Sequence, residues 1–232
     1  MLLYWVHRLW HGNFDAMRFR ICYQFPMWLQ RLYGGVTWRI KESSKVIYLT
    51  FDDSCIPEVT PDLLSLLREW GARATFFCVG DNIRKYPYLF KQIVEEGHSV
   101  GNHTYHHIAG LRSTRHTYQR EIEETDRLID SLLDELGKVR TVKLFRPPYG
   151  RMRLSQRIQA GKTHKIVLWD LLTHDYNKKY TPEQIMYAIE HYSRDGSIVV
   201  FHDSLKSKDN VLSVLPQALQ WWHQNGYEVR AL

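Results

Sequence analysis

Cysteine is scarce in this chain: three in 232 residues, Cys22, Cys55 and Cys78. An odd count with no C-x-x-C pair supports neither a disulfide framework nor a thiolate zinc finger, so three free thiols are expected. Long apolar runs are also missing, and none reaches the roughly 20 residues that a bilayer-spanning helix needs. The opening Met1-Leu2-Leu3-Tyr4-Trp5-Val6 is apolar, but His7 and Arg8 interrupt it before a signal-peptide core can form. A soluble, cytoplasmic protein is the favoured expectation, with export by an unrecognised start left open. No internal repeat is present. Lys and Arg outnumber Asp and Glu by 31 to 25, yet the basic residues are scattered among acidic ones, so nucleic acid is not an expected partner. The length favours one large core over two small ones, and a monomer is expected.

What is present divides at about residue 40. Residues 1–40 are rich in Trp, Arg, Tyr and Met without a strand pattern, and the polar Lys41-Glu42-Ser43-Ser44-Lys45 follows. Two readings stand for this extension: translation beginning at Met17 or Met27, or an amphipathic helix that packs on the main domain or touches a membrane surface. Residues 41–232 form the domain proper, where short apolar runs alternate with helical patterns. Strands are expected at 46–51, 74–79, 98–101, 142–145, 165–169, 197–201 and 227–230. Helices are expected from Thr60, as N-cap, to Gly71, and at 81–96, 113–136, 154–160, 182–192 and 211–225. About seven βα units imply an α/β fold, a parallel sheet closed or nearly closed into a barrel with its helices outside.

Each unusual polar cluster follows one of these strands. Asp52-Asp53 ends the first, and His103-Thr104-Tyr105-His106-His107 follows the third. Arg146-Pro147-Pro148-Tyr149-Gly150 follows the fourth, Asp170 and Asp175 the fifth, and His202-Asp203 the sixth. In a barrel, strand C-termini converge on one mouth. His103 and His107, four apart, are expected on one side of a helical turn, where both imidazoles reach one ion. Two imidazoles and one carboxylate make a zinc set with a position left open for water, and the second carboxylate is then free to act as a base. The two prolines make a rigid turn that presents Arg146 and the Tyr149 amide inward. His202, at the rim, is placed to protonate a leaving group.

In this order, Thr-Phe-Asp-Asp-Ser, His-Thr-x-x-His, Arg-Pro-Pro-Tyr-Gly, a Trp-containing Asp motif and a hydrophobic-x-His motif resemble the polysaccharide deacetylases of the NodB-homology type, carbohydrate esterase family 4. The resemblance covers residues 46 to 230 and implies an irregular (β/α)7 barrel. It also implies that Asp52 is the catalytic base and that Asp53, His103 and His107 hold a divalent metal, zinc first, with cobalt, nickel or manganese as alternatives. It makes Arg146 the partner that orients Asp52, Tyr149 the amide donor to the oxyanion, and Thr104 a group that holds the histidine turn in shape. His202 becomes the general acid and Asp175 its carboxylate partner, with Asp170 the nearby alternative. Pro147, Trp169 and Val200 would line the substrate side. Ser54, Ile108 and Tyr176 stand where the family often has Gly, Pro and Trp.

The implied reaction is metal-dependent hydrolysis of an N-acetyl group on an acetylated amino sugar or polysaccharide, chitooligosaccharide- or peptidoglycan-like. The alternatives are an O-acetyl esterase, a non-sugar amide hydrolase, a silent carbohydrate-binding module and a structural zinc protein. The glycan itself is not legible in the sequence.

Overall fold

The computed structural model describes residues 23–26, 30, 33–42 and 44–232. Cys22, Met17, Met27 and most of the stretch read as an extension lie outside the described residues, as does any helix expected there. Among the described residues, no helix is long and apolar enough to cross a membrane. Cys55 and Cys78 are free, buried thiols, as expected.

Eight strands form one sheet in which every paired ladder is parallel. They are β1 (Val46–Ser54), β2 (Thr75–Cys78), β3 (Ser99–Asn102), β4 (Leu144–Phe145), β5 (Lys165–Ile166), β6 (Leu171–Leu172), β7 (Ser197–His202) and β8 (Glu228–Arg230). The order is β5-β4-β3-β2-β1-β7-β6, with β8 beside the first three residues of β1. The sheet curls into a partial barrel: no ladder joins the edge strands β5 and β6. The segment before β1 lies in that gap. Thr37 bridges to Val167, Arg39 bridges to Ser197, and the Ile40 N–H donates to the Gly196 carbonyl at 2.9 Å. Gly196 (φ +74°) is required there, since a Cβ would stand 1.8 Å from the Ile40 oxygen.

Strand alternation sorts the apolar run of β1 into two faces. Ile47, Leu49 and Phe51 belong to the large core under the helices, whereas Val46 and Tyr48 belong to a lumen cluster with Phe77, Leu144, Val167 and Ile198. By the same period Thr50 and Asp52 continue the lumen face upward. On β7, Ile198 is in the lumen cluster while Val199 and Phe201 are in the outer core, so Val200 and His202 share the lumen side.

Among the described residues seven helices cover the outside: α1 (Thr60–Glu69), α2 (Gly80–Lys85), α3 (Pro87–Glu95), α4 (Arg115–Glu135), α5 (Leu154–Ala160), α6 (Pro182–Tyr192) and α7 (Lys208–Gln224). The single helix expected at 81–96 is two, because Pro87 pushes Tyr86 out of the helical region (φ −130°, ψ 56°) and begins a new helix itself. Thr60 is the first residue of α1 rather than its cap. Val59 holds the cap position, and the Thr60 hydroxyl donates instead to Asp203 Oδ2 at 2.6 Å. The strand expected at 165–169 shortens to β5, after which the chain passes through a buried carboxylate, Asp170, into the separate strand β6.

Candidate active site

Adjacent residues of a strand face opposite ways, so one strand should not offer Asp52 and Asp53 to the same site. β1 does so through an irregularity. Its register against β2 shifts between Phe51 and Ser54, and Asp53 takes φ +68°. Such a bulge re-aims one side chain without ending the strand. Asp52 keeps its lumen direction while Asp53 turns to the same mouth.

Asp52 is buried and paired with a fully buried arginine: Arg146 Nη1 donates to Asp52 Oδ1 at 2.6 Å and to Thr50 Oγ1 at 2.8 Å. Arg146 also donates to the carbonyls of Val167 and Leu168, and its guanidinium lies 4.1 Å above the centre of the Phe77 ring. All its contacts are internal, so it serves as a fixed positive floor under Asp52. Asp52 Oδ2 remains free toward the histidines, 3.9 Å from His103 Nε2.

The histidine loop is not the helical turn that the four-residue spacing suggested. Residues 103–109 carry no helix, and both Thr104 (φ +62°) and His107 (φ +53°) lie in the left-handed region. The two rings nevertheless meet, with centroids 5.0 Å apart. What holds the loop is Asn102, at the end of β3. Its Oδ1 accepts the Thr104 N–H at 2.9 Å, while its Nδ2 donates to the Ile122 carbonyl at 2.7 Å and to Asp126 Oδ1 at 2.9 Å. The Thr104 hydroxyl is buried without a hydrogen-bond partner, so the support expected from it comes from Asn102. An Asn next to a non-helical turn is the signal that could have found it.

His103 Nδ1 donates to the Arg146 carbonyl at 2.7 Å, which fixes the tautomer and leaves the Nε2 lone pair facing Asp53. Burial, with the His107 charge beside it, draws the His103 pKa down to about 4, against the pull of Asp52 and Asp53, so the ring is neutral. Asp53 is held well below the ordinary carboxylate range: burial opposes this, but the His107 hydrogen bond and the histidine charges override it. Asp53 Oδ1 lies 3.1 Å from His107 Nε2 and 3.7 Å from His103 Nε2, and the three ligand atoms fall within 4.8 Å of one another. A tetrahedral ion with ligands at 2.0–2.1 Å needs neighbours about 3.3 Å apart, so this carboxylate and the two imidazoles fit a divalent cation here. His106 turns away and pairs with Glu121 at 2.9 Å.

His202 stands at the end of β7, paired in register with Asp52. Its Nδ1 contacts Asp175 Oδ1 at 2.8 Å, and its backbone N–H donates to Asp175 Oδ2 at 2.7 Å. Burial disfavours the imidazolium, but the Asp175 charge and hydrogen bond, helped by Asp53 and Asp52, raise its pKa to about 9. His202 is therefore protonated at neutral pH. Asp170, the alternative partner, lies elsewhere, bonded to Arg194 Nε at 2.8 Å, Ser197 Oγ at 2.8 Å and Gln24 Nε2 at 3.1 Å. Asp203, beside His202, is a further buried carboxyl that burial pushes up to about 7, against its bonds from Thr60 and the Cys55 backbone.

Pro147 is buried and its carbonyl accepts the Gly150 N–H at 2.9 Å, while Tyr149 takes φ +61°. Among the described residues the Tyr149 N–H has no intramolecular acceptor, and its ring lies edge-on to His107 at 4.8 Å, 60% exposed. Gly150 (φ +63°) rests on Trp169, where a Cβ would stand 2.5 Å from Cη2. Val200 is buried beneath the mouth, one layer below His202 on β7. The Tyr176 ring meets the His202 ring edge-on at 4.6 Å, and Ile108 packs against the small core of Tyr118, Phe145 and Met152.

Residues 39–167, more than half the chain, match the polysaccharide deacetylase family. The chain belongs to that family. A peptidoglycan-N-acetylglucosamine deacetylase of Bacillus cereus is 30% identical over 200 residues, 84% of this chain and 89% of that protein. A chitooligosaccharide deacetylase of Rhizobium leguminosarum bv. trifolii is 29% identical over 197 residues, 80% of this chain and 89% of that protein. Among solved structures, the Bc1960 peptidoglycan N-acetylglucosamine deacetylase bound to a naphthalenyl N-oxidanyl-benzamide superposes with a TM-score of 0.79 at 26% identity, over 88% of this chain and 93% of that one. The curled parallel sheet described above is thus the fold of this deacetylase family, and the family match begins within the seam segment, at Arg39.

Proposed function

We propose that this polysaccharide deacetylase hydrolyses the N-acetyl group of an acetylated amino sugar in a glycan, using a divalent metal held by Asp53, His103 and His107. One observation carries the reading: a metal-fitting triad, an ionisable carboxylate and a protonated imidazole share a single mouth. A bound ion would supply Lewis-acid charge to the amide carbonyl and to the attacking water. Zinc suits two imidazoles and a carboxylate first, with cobalt, nickel and manganese as the alternatives.

The chain's own groups do the rest. Arg146 occupies Asp52 Oδ1, so Oδ2 takes the proton of the attacking water. The unoccupied Tyr149 N–H donates to the oxygen that gains charge as the carbonyl carbon becomes tetrahedral. The new sugar amine must be protonated to leave, and His202, held as the imidazolium by Asp175, delivers that proton from Nε2. A protonated acid poised in this way favours an amide over an acetyl ester, whose alkoxide leaves more readily. Trp169 and Val200 wall the space for the acetyl methyl group, and Pro147 keeps the Tyr149 amide in place.

The test is acetate release by zinc- or cobalt-loaded protein from N-acetylglucosamine oligomers and from peptidoglycan fragments, beside Asp52→Ala and His202→Ala. Wild-type turnover and its loss in both variants is the expected result. Equal rates in variants and wild type, or no metal uptake, would overturn the proposal. Release only from acetyl esters would replace it with an esterase.

A further inference from the structure

Two cations stand at the rim of the mouth without a counter-charge. Arg151 leaves the Tyr149-Gly150 turn exposed, and Lys206 lies exposed in the loop after β7, its Nζ 5.7 Å from the centre of the Tyr176 ring. That ring is the one that meets His202 edge-on at 4.6 Å. The Arg151 charge also reaches Tyr176, where it works against the rise that burial gives the phenol. Lys206 thus lies over an aromatic residue beside the proton donor, and Arg151 follows the turn whose Tyr149 ring meets His107.

The backbone that carries Arg151 is wedged in place. Gly150 has no room against Trp169, and the Arg151 carbonyl lies 3.0 Å from where a Cβ on Gly110 would stand. On the outer helices some exposed cations are matched by acids, Arg68 with Glu96, Arg84 with Asp81 and Lys91 with Glu135. Neither Arg151 nor Lys206 has an ion pair or a side-chain hydrogen bond among the described residues. Tyr149, 60% exposed, and Leu205, 65% exposed, flank them with the apolar surface on which a sugar ring stacks.

We infer that Arg151 and Lys206 form a subsite for a carboxylate on the sugar next to the one being deacetylated, so that the enzyme prefers an anionic glycan to a neutral one. The inference rests on the deacetylase reading above and adds to it the charge of the substrate. A guanidinium fork suits a carboxylate in two-point contact, and an ammonium beside it adds a point charge. The relatives do not decide the matter, since one is named for a chitooligosaccharide and the other for peptidoglycan. A lactyl-ether carboxylate and a uronic acid share the required chemistry.

The experiment compares kcat/KM of the metal-loaded enzyme on four glycans of equal length. They are neutral N-acetylglucosamine oligomers, peptide-free strands alternating N-acetylglucosamine with N-acetylmuramic acid, the same strands with each lactyl carboxylate converted to a methyl amide, and oligomers alternating N-acetylglucosamine with a uronic acid. Calorimetric binding of the same glycans to Asp52→Asn runs in parallel. Carboxylate strands should outperform their methyl amides mainly through KM, and the preference should shrink at 0.5 M salt. Arg151→Gln and Lys206→Gln should each reduce the carboxylate-to-methyl-amide ratio about three- to fivefold, while Lys162→Gln, on the opposite face, should leave the ratio in place. Which carboxylate binds better identifies its source. A ratio near one in the wild type, or a ratio unchanged in the double variant, overturns the subsite. If no glycan releases acetate, the deacetylase reading fails, and the calorimetric ratio alone decides whether the carboxylate subsite exists.

Discussion

Asp175 grips His202 at two points, its Oδ1 2.8 Å from the ring Nδ1 and its Oδ2 2.7 Å from the backbone nitrogen of the same residue. The backbone bond anchors the carboxylate to β7, so the ring nitrogen meets it at a fixed place. One buried anion thus sets both the orientation of the imidazole and its proton affinity.

The pH dependence follows from that grip. A general acid must carry its proton, so kcat/KM should fall as pH rises through about 9. In Asp175→Asn the largest upward influence is lost, and the alkaline limb should move down toward the ordinary imidazole range of about 6.5. The sign for stability is the same: the interaction contributes fully below the unfolded imidazole pKa and is lost as pH rises through about 9. A pH–rate profile of both proteins checks this, and an unmoved limb in Asp175→Asn would remove His202 from the role of acid.

The two adjacent carboxylates should separate by assay. Asp52→Asn keeps an oxygen for Arg146 but cannot accept a proton, so turnover should drop by about 10²- to 10⁴-fold while one metal per chain is still bound. Asp53→Asn should lose the metal. Metal loss in the Asp52 variant instead would mean that the roles are reversed. Arg146→Ala leaves Asp52 buried without its partner and should destabilise the protein by about 3–5 kcal/mol, read from denaturant unfolding.

Much of this was legible because local chemistry and tertiary structure agree. Thr181 and Gln184 form the capping box that opens α6 at the residue expected, and the apolar run of β1 is a strand with its polar end at the mouth. The shape of the histidine loop was not legible. A four-residue spacing suits a helical turn and an irregular loop equally, and the choice is made by Asn102 reaching across to Ile122 and Asp126 on α4. Arg146 was legible as a site residue, but its burial was not. Its acceptors are Thr50 and Asp52 on β1 and two carbonyls past β5, and its ring partner Phe77 comes from β2, none of them near it in sequence. The break at Tyr86-Pro87 was in the sequence all along, as the restriction that proline places on the residue before it.

Asn102 is expected to act on the metal without touching it. Asn102→Ala frees the Thr104 N–H and lets His103 and His107 drift apart, while Asp126 keeps Arg140 and His164 as partners. Metal affinity should fall about 10- to 100-fold, the range typical when support of a ligand is removed. A chelator competition with cobalt absorption measures this directly. Unchanged affinity would show that the loop holds its shape without the Asn102 bridge.

Gly150→Ala tests whether the Tyr149 amide must stay where Trp169 holds it. At φ +63° a Cβ costs about 1–2 kcal/mol, and at this position it would also stand 2.5 Å from Trp169 Cη2 and 3.2 Å from Cζ2 and Cζ3. An indole buried at its nitrogen cannot bend aside as a flexible side chain would. The turn must move instead, and the Tyr149 N–H moves with it. A displacement of about 1 Å at a reacting group costs on the order of 10²-fold, so kcat should fall far more than KM rises. Trp169→Leu in the same chain removes the obstruction and should restore part of kcat. A Gly150→Ala enzyme with wild-type kcat would show that the amide takes no part in the reaction.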